Sequence, residues 1–117
     1  MKRMSFSITT RQFRARTKTV TRRVGWETLR RGEIVMGIEK GMGLKKGEKQ
    51  VELGKIEILS NRPESLALMI ADPRYGKREA IKEGFPEMSG RQFVRMFCKA
   101  RKCQPEQRVQ RIEYRYL

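Results

Sequence analysis

The sequence predicts an α+β fold, a small mixed β-barrel of about five strands with three or four short helices. Segments with the apolar alternation of strands and segments with helix-start signals follow one another without regular βαβ units, which favours a barrel over a doubly wound sheet. The 117 residues suffice for one modest hydrophobic core. No internal repeat and no linker divides them, so we expect residues 1–117 to form a single domain.

Five segments have the composition of strands. Alternating apolar and polar residues, or a high content of β-branched ones, mark Met4–Ile8, Thr17–Thr21, Glu33–Glu39, Gln50–Ser60 and Gln110–Tyr116. Gly54 lies inside the fourth segment and predicts a bulge or a tight bend. The stretch Gly41–Gly47 lacks the Gly-Lys-Ser/Thr ending of a phosphate-binding loop and does not open a helix, so it predicts a hairpin connection.

Helix-start signals occur at three positions. Thr9 with Gln12 three residues later matches a capping box, and Ser89 opens a second one. Asp72 followed by a proline predicts an N-cap and a first helical residue. These signals and one further turn predict helices over Thr10–Arg16, over Gly25–Leu29, from Pro73 to near Gly84, and from Gly90 onward with Phe93, Met96, Phe97 and Ala100 on the buried face.

Positive charge is concentrated at the two ends of the chain, and the formal net charge is +15. Residues 1–31 carry ten Lys or Arg against one acidic residue, residues 32–90 carry ten against ten, and residues 91–117 carry eight against two. If the first and last strands lie in one barrel, the two basic ends form a single face. Such a face binds polyanions by releasing their counterions, so we expect a nucleic acid or a nucleotide as the partner.

The absence of histidine narrows the chemistry that the chain can perform. It excludes Ser-His and Cys-His nucleophile pairs and histidine-based metal sites, so acid–base work falls to Lys, Glu, Asp or Tyr. Cys98 and Cys103 are five residues apart in a predicted helix and therefore on different faces, which makes a disulfide geometrically poor and a zinc site incomplete. We expect no metal and no cofactor.

The sequence also bears on the cellular location. No apolar run approaches the roughly 18 residues of a membrane span, and the first residues lack the apolar core of a secretory signal. We therefore expect a cytoplasmic monomer that contacts no membrane.

The densest candidate for chemistry is the segment Arg14–Arg23, which reads RARTKTVTRR. Its guanidinium, ammonium and hydroxyl groups all donate hydrogen bonds to phosphate oxygens. In an extended segment Thr19, Thr21 and Arg23 share one face, and Lys18 joins them only if the chain bends. Neighbouring arginines favour the neutral form of a lysine, which is then a nucleophile or base. These residue types leave three readings open: a solvated basic loop, a phosphate-binding segment and a catalytic lysine.

Two residues outside this segment are further candidates. Glu83 stands beside a predicted helix C-terminus, where a negative charge is electrostatically disfavoured, and such a misplaced charge can mark a functional residue. Trp26 has the aromatic surface to stack on a base, although a single tryptophan is more commonly part of a core.

Three parts of the chain together resemble an ASCH domain. They are the segment Lys18–Arg23, the turn Arg31-Gly32-Glu33 into a strand, and the helix end Glu83-Gly84-Phe85-Pro86. The layout spans nearly the whole chain and is similar to the compact ASCH proteins of bacteria and bacteriophages. The resemblance implies a PUA-like β-barrel with a basic cleft that takes RNA or a nucleoside.

The family motif is described as Gly-x-Lys-x-x-Glu-x-Arg. Lys18 and Arg23 match it, whereas Arg16 stands in place of the glycine and Thr21 in place of the glutamate. The threonine form resembles the acetylcytidine amidohydrolase branch, whose catalytic lysine, threonine and glutamate would correspond to Lys18, Thr21 and Glu83. Arg16 narrows a place where the family has no side chain, which favours a polymer or nucleotide over a free nucleoside.

Three functions are consistent with these residues. The first is an RNA- or nucleotide-binding module whose basic cleft uses Arg14, Arg16, Lys18, Arg22, Arg23 and Trp26. The alternative is a metal-independent hydrolase, either an amidohydrolase or a ribonuclease, with Lys18, Thr21 and Glu83 as catalytic groups. The third is an interaction protein that turns its basic face to an acidic partner. A steep dependence of binding on salt would distinguish a polymer from a neutral nucleoside.

Overall fold

The computed structural model describes residues 1–117 as five strands and four helices. In chain order the elements are β1 (Lys2–Ser5), α1 (Thr10–Arg14), β2 (Val20–Arg23), β3 (Ile34–Ile38), β4 (Glu52–Ser65), α2 (Leu68–Ala71), α3 (Pro73–Lys82), α4 (Gly90–Arg101) and β5 (Arg108–Tyr116). The strands form one sheet in the order β1-β3-β4-β5-β2, with β1 parallel to β3 and all other pairs antiparallel. The predicted α+β class is confirmed. The sheet is a half-barrel, because β1 and β2 are free edges.

The apolar side chains form two clusters. The first belongs mainly to the sheet and contains Met4, Phe6, Phe13, Leu29, Val35, Ile56, Ile58, Ile112 and Tyr114. The second belongs mainly to α2, α3 and α4 and contains Leu66, Met69, Ala80, Phe85, Phe93, Val94, Phe97 and Val109. Strand β5 contributes to both, since Val109 and Ile112 point to opposite faces of the sheet. The central part of β5 is therefore buried on both sides.

Strand β4 is longer than the predicted segment Gln50–Ser60 because it continues through a proline. Its first residues pair with β3, Ile56 and Glu57 pair with both β3 and β5, and its last residues pair with β5 alone. Pro63, which has no N–H to donate, therefore lies where β4 has one free edge. The register with β3 shifts beside Gly54, whose φ is +143°, and this confirms the predicted bulge.

The first elements depart from the prediction. Strand β1 ends at Ser5, and Ile8, the predicted strand end, is exposed. The predicted capping box at Thr9 is wrong, because the side chain of Thr9 caps no backbone N–H of α1. Instead, the hydroxyl of Thr10 donates to the carbonyl oxygen of Phe6 at 2.7 Å, which holds the turn between β1 and α1.

The predicted helical turn over Gly25–Leu29 is also wrong. Trp26 has a φ of +65°, outside the range of a right-handed helix, and the N–H of Leu29 donates to the carbonyl oxygen of Trp26 at 3.2 Å to close a simple turn. Helix α2 was not predicted; it follows β4 directly and is only one turn long.

The two longer helices begin where their capping residues predict. The side chain of Asp72 caps α3, and Ser89 caps α4 through the predicted box. The predicted inner face of α4 is confirmed at Phe93 and Phe97, which are buried, whereas Ala100 is exposed. No helix is long and apolar enough to cross a lipid bilayer.

Helices α3 and α4 come into very close contact through two glycines. A Cβ atom added to Gly76 would lie 2.0 Å from the carbonyl oxygen of Met69, and one added to Gly90 would lie 2.3 Å from the same oxygen. Real side chains cannot occupy these positions, so the packing of α2, α3 and α4 depends on both glycines.

The two cysteines lie next to each other at the end of α4. The helix stops at Arg101, and Lys102 adopts a left-handed conformation with a φ of +52°, which turns the chain back. The Sγ atoms of Cys98 and Cys103 are 3.7 Å apart as free thiols. The prediction that they occupy different faces is wrong because it assumed an uninterrupted helix. Burial and the neighbouring thiol raise the pKa of Cys98 to about 11.

Candidate ligand-binding cavity

A cavity lies beside the two free edges of the half-barrel. It contains about 470 Å³ of space free of protein atoms, part of it open to solvent. Its apolar walls come from the segment after β1, the segment after α3, and α4: Phe6, Ile8, Phe85, Phe93, Met96 and Phe97. Its charged and hydroxyl-bearing residues come mainly from β2 and the ends of the helices, and include Lys18, Thr21, Arg23, Glu83 and Arg101. Lys18, Thr21 and Glu83, which the sequence singled out as catalytic candidates, all line this one cavity.

Lys18 reaches the cavity because the chain bends just before β2. Strand β2 begins only at Val20, and the preceding residues are held from several sides. The N–H of Thr19 donates to the carbonyl oxygen of Lys82 at 2.8 Å, and the hydroxyl of Tyr116 donates to the carbonyl oxygen of Lys18 at 2.5 Å. Lys18 therefore lines the same cavity as Thr21, which strand alternation alone would not allow.

The ammonium group of Lys18 is buried with the carboxylate of Glu83. Its Nζ donates to Oε1 of Glu83 at 2.7 Å and to the carbonyl oxygen of the same residue at 3.1 Å, and its side chain is 3% exposed. An ammonium has three N–H donors, so one of them has no acceptor within the protein. Burial lowers the pKa of Lys18; the pairing with Glu83 opposes this change without reversing it.

A glycine after Glu83 makes this approach possible. Gly84 has a φ of +98°, in the left-handed region that favours glycine. A Cβ atom there would lie 2.8 Å from Cγ of Gln12 and 3.4 Å from Cβ of Lys18. The end of α3 can thus lie directly against the backbone that carries Lys18. The negative charge of Glu83 at a helix C-terminus is stabilised by its buried cationic partners, Lys18 and Arg22.

Arg22 is the centre of a buried ion-pair network rather than a surface residue. Its Nη2 donates to Glu64 and to Glu79, each at 2.7 Å, and its Nη1 donates to Glu83 at 3.0 Å. Its side chain is 0% exposed. Although burial acts against it, these carboxylates raise the pKa of Arg22. Arg22 therefore lies against the cavity with its guanidinium engaged by carboxylates, whereas the sequence suggested a phosphate contact.

The network is electrically balanced. Arg111 also donates to Glu79, at 2.5 and 3.0 Å, so helix α3 is tied to strands β2, β4 and β5. Among the buried side chains, three cations face three carboxylates: Lys18, Arg22 and Arg111 against Glu64, Glu79 and Glu83. The exposed Arg62 and Lys82 add outer contacts to Glu64 and Glu79 at 3.6 and 3.7 Å. Buried charges are tolerated in such paired arrangements, so no charge of this network is left over for a ligand.

Arg23, by contrast, is a cation without a carboxylate partner. Its Nε donates to Oγ1 of Thr21 at 3.0 Å, and its guanidinium carbon lies 4.8 Å from the centre of the Phe6 ring. No carboxylate lies within ion-pairing distance of it. Burial and the nearby Arg101 lower the pKa of Arg23 to about 10, so it remains charged at neutral pH. The hydroxyl proton of Thr21 has no protein acceptor either, which leaves both groups free to donate to a ligand.

The structure does not bring the remaining candidates into the cavity. Arg14 is exposed and pairs with Glu39 at 3.5 Å. Arg16 is exposed with its guanidinium 5.5 Å from the centre of the Tyr116 ring. Trp26 is half-buried against the first apolar cluster. Sequence reasoning missed Arg101, which lines the cavity from the last turn of α4; the basic excess of residues 91–117 is the signal that includes it.

Comparisons with known proteins leave the family open. No protein-family model, no curated protein and no solved structure matches this chain. The ASCH resemblance and the PUA-like fold therefore stay predictions from the motif. No three side chains of His, Cys, Asp or Glu are grouped so that they could hold a metal ion.

Proposed function

We propose that this protein is an RNA- or nucleotide-binding domain of the PUA-like, ASCH type, and that the cavity takes one nucleotide unit. The observation that carries the proposal is the unpaired guanidinium of Arg23 in the cavity wall. A partly buried charge without a counterion costs free energy, and a phosphate oxygen offsets that cost with a charge-assisted hydrogen bond. The protein supplies no such anion, so a ligand is the natural source.

The other walls suit the rest of a nucleotide. Phe85 and Phe97 offer apolar aromatic surface of the kind on which a base stacks. The free N–H of Lys18 and the free hydroxyl of Thr21 can donate to the polar edge of a base.

Calorimetric titration with the four ribonucleoside monophosphates and the four free nucleosides tests this proposal. We expect at least one monophosphate to bind and its nucleoside to bind more weakly. Arg23→Met should weaken monophosphate binding about 10- to 100-fold, the value of a hydrogen bond to a charged group. Arg14→Met, which removes an arginine outside the cavity, is the matched control and should change affinity less than about twofold. Equal effects of the two substitutions would refute the proposal.

A second function, hydrolysis of an acyl amide on a modified nucleoside, is favoured by one specific observation. Lys18 is buried, has a lowered pKa, and lies 2.7 Å from Glu83 in the cavity that Thr21 also lines. After Lys18 passes its proton to Glu83, the neutral amine can take a proton from an attacking water. Thr21 then donates to the carbonyl oxygen as it gains negative charge, and Lys18, protonated by the water, gives a proton to the departing amine.

Lys18→Arg separates hydrolysis from binding alone. Arginine keeps the charge but does not deprotonate, so an amidohydrolase should lose at least about 100-fold in turnover of acetylated cytidine while ligand affinity stays within a few-fold. The same variant assayed for RNA cleavage tests the ribonuclease alternative. If Lys18→Arg keeps full turnover, Lys18 is not the proton carrier. If the wild type turns over neither substrate, the binding function stands alone.

A further inference from the structure

Helix α4 carries a row of cations on its outward side, and these cations have no partners. Arg91, Arg95 and Lys99 are spaced four residues apart, so they lie on the same side of the helix. All three side chains are exposed, and none forms an ion pair or a side-chain hydrogen bond. We call Arg91, Arg95 and Lys99 the α4 basic row. At 1.5 Å per residue it extends over about 12 Å.

The α4 basic row does not serve the stability of the helix. Like charges at four-residue spacing repel each other across one turn. Arg91 also lies in the first turn, where the helix dipole disfavours a positive charge, and no acidic residue balances it there. The packing of α4 is provided by its opposite side, through Phe93, Val94 and Phe97. An arrangement that weakens the free protein in this way is expected where an anionic partner removes the repulsion.

The same helix forms one wall of the cavity. Met96 and Phe97 line it from the middle of α4, and Arg101 lines it from the last turn. The cavity-lining residues Phe93 and Phe97 lie on the side of α4 opposite the α4 basic row, so a strand with one nucleotide in the cavity would reach the row around the C-terminal end of the helix. Arg101 and the exposed Lys102 continue the positive charge from Lys99 to the cavity.

We propose that the α4 basic row binds the phosphate backbone of an RNA strand, one nucleotide of which occupies the cavity. The ligand is then a polynucleotide rather than a free nucleotide. This inference rests on the proposed function and deepens it. Charge complementarity favours a regular polyanion, because three equally spaced cations match a chain of repeated phosphates better than a single carboxylate or phosphate group.

The test compares two triple variants that remove the same charge. Arg91→Gln, Arg95→Gln and Lys99→Gln together neutralise the α4 basic row. Lys45→Gln, Lys46→Gln and Lys49→Gln together neutralise three exposed lysines of the loop between β3 and β4, none of which forms an ion pair. The probe is a fluorescently labelled 12-nucleotide single-stranded RNA, titrated at several salt concentrations, and the monophosphate that binds best is titrated in parallel.

We expect the α4 variant to bind the RNA at least 10-fold more weakly at low salt. The slope of log affinity against log salt should fall by about 2, since each lost contact with a single strand contributes about 0.7. The loop variant should keep both the affinity and the slope, and the α4 variant should bind the monophosphate as the wild type does. Circular dichroism and urea unfolding should find the α4 variant folded and no less stable, because a repulsion has been removed.

Several outcomes would overturn the inference. Equal losses in the two triple variants would assign the effect to overall charge. If RNA binds no more tightly than the monophosphate, the proposed function stands but the α4 basic row does not bind the phosphate backbone. Conversely, if only the α4 variant loses salt-dependent RNA affinity and the wild type binds no monophosphate, the α4 basic row binds RNA and the cavity proposal is refuted. If the α4 variant loses binding only to vesicles of phosphatidylserine and phosphatidylcholine, the row is a membrane contact and not an RNA site.

Discussion

Arg23 offers a sharp test, because its removal should stabilise the free protein while it weakens ligand binding. Burial and the neighbouring Arg101 lower the pKa of its guanidinium to about 10. The difference from an ordinary arginine corresponds to about 3 kcal/mol held against the charged form. Arg23→Met removes this penalty but also loses the hydrogen bond to Thr21 and the contact with the Phe6 ring, each worth about 1 kcal/mol. We therefore expect a net gain of about 1 kcal/mol in the free energy of unfolding.

Urea unfolding of the ligand-free protein at neutral pH measures this gain, and the adjacent arginine supplies the control. Arg22→Met leaves three carboxylates without their common partner and should destabilise the protein by about 3 to 5 kcal/mol or prevent folding. If Arg23→Met instead costs 1 kcal/mol or more, the guanidinium stabilises the fold and the inference that it awaits an anion is refuted.

Two further predictions concern the framework of the cavity. Gly76→Ala should lower the free energy of unfolding by about 3 kcal/mol or more in thermal or urea unfolding, because its Cβ would lie 2.0 Å from a backbone oxygen. The control is Gly32→Ala, at a φ of +90° with open space around it, which should lower the free energy of unfolding by only about 1 kcal/mol. Equal costs of the two substitutions would contradict the close helix contact. The second prediction concerns the pKa of Glu79: burial raises it, but hydrogen bonds from Arg111 and Arg22 outweigh burial and lower it to about 2. About 3 kcal/mol of stability is therefore present above the unfolded pKa near 4.3 and is lost as pH falls from there towards 2. Acid titration of the unfolding free energy should contain this loss in the wild type and lack it in Glu79→Gln.

The sequence predicted the start of a helix well where the capping side chain itself forms the hydrogen bond that begins the helix. Asp72 and Ser89 cap their helices because each bonds to a backbone N–H within three residues. Thr9 carries an equally good signal, yet α1 is only five residues long and the turn before it is held by Thr10 instead. The relative position of the two cysteines was predicted wrongly for a related reason. The left-handed turn that brings them together is at Lys102, and no glycine or proline there indicates a helix end in the sequence.

The site required information that no local pattern contains. Arg22 and Arg23 are adjacent and chemically identical, and strand alternation predicts only that they point in opposite directions. Which of them meets carboxylates depends on residues 42 to 61 positions away along the chain, on β4, on α3 and directly after α3. The pairing of Lys18 with Glu83 across 65 positions is likewise a tertiary property. The predicted resemblance to the ASCH family nevertheless singled out Lys18, Thr21 and Glu83, all of which line the cavity.

Because the half-barrel has an open edge, some ligand-binding groups of the cavity are backbone N–H groups, which side-chain mutagenesis cannot remove. Ser7 and Ile8 follow the edge strand β1 and line the cavity, and neither of their backbone N–H groups donates to a carbonyl oxygen of the protein. A fully closed barrel would use such groups in its own hydrogen bonds, whereas here they are available to a bound molecule. Replacing either side chain leaves the N–H in place. Alanine scanning will therefore undercount the contacts on this rim, and amide hydrogen exchange or ester-backbone substitution is the means of detecting them.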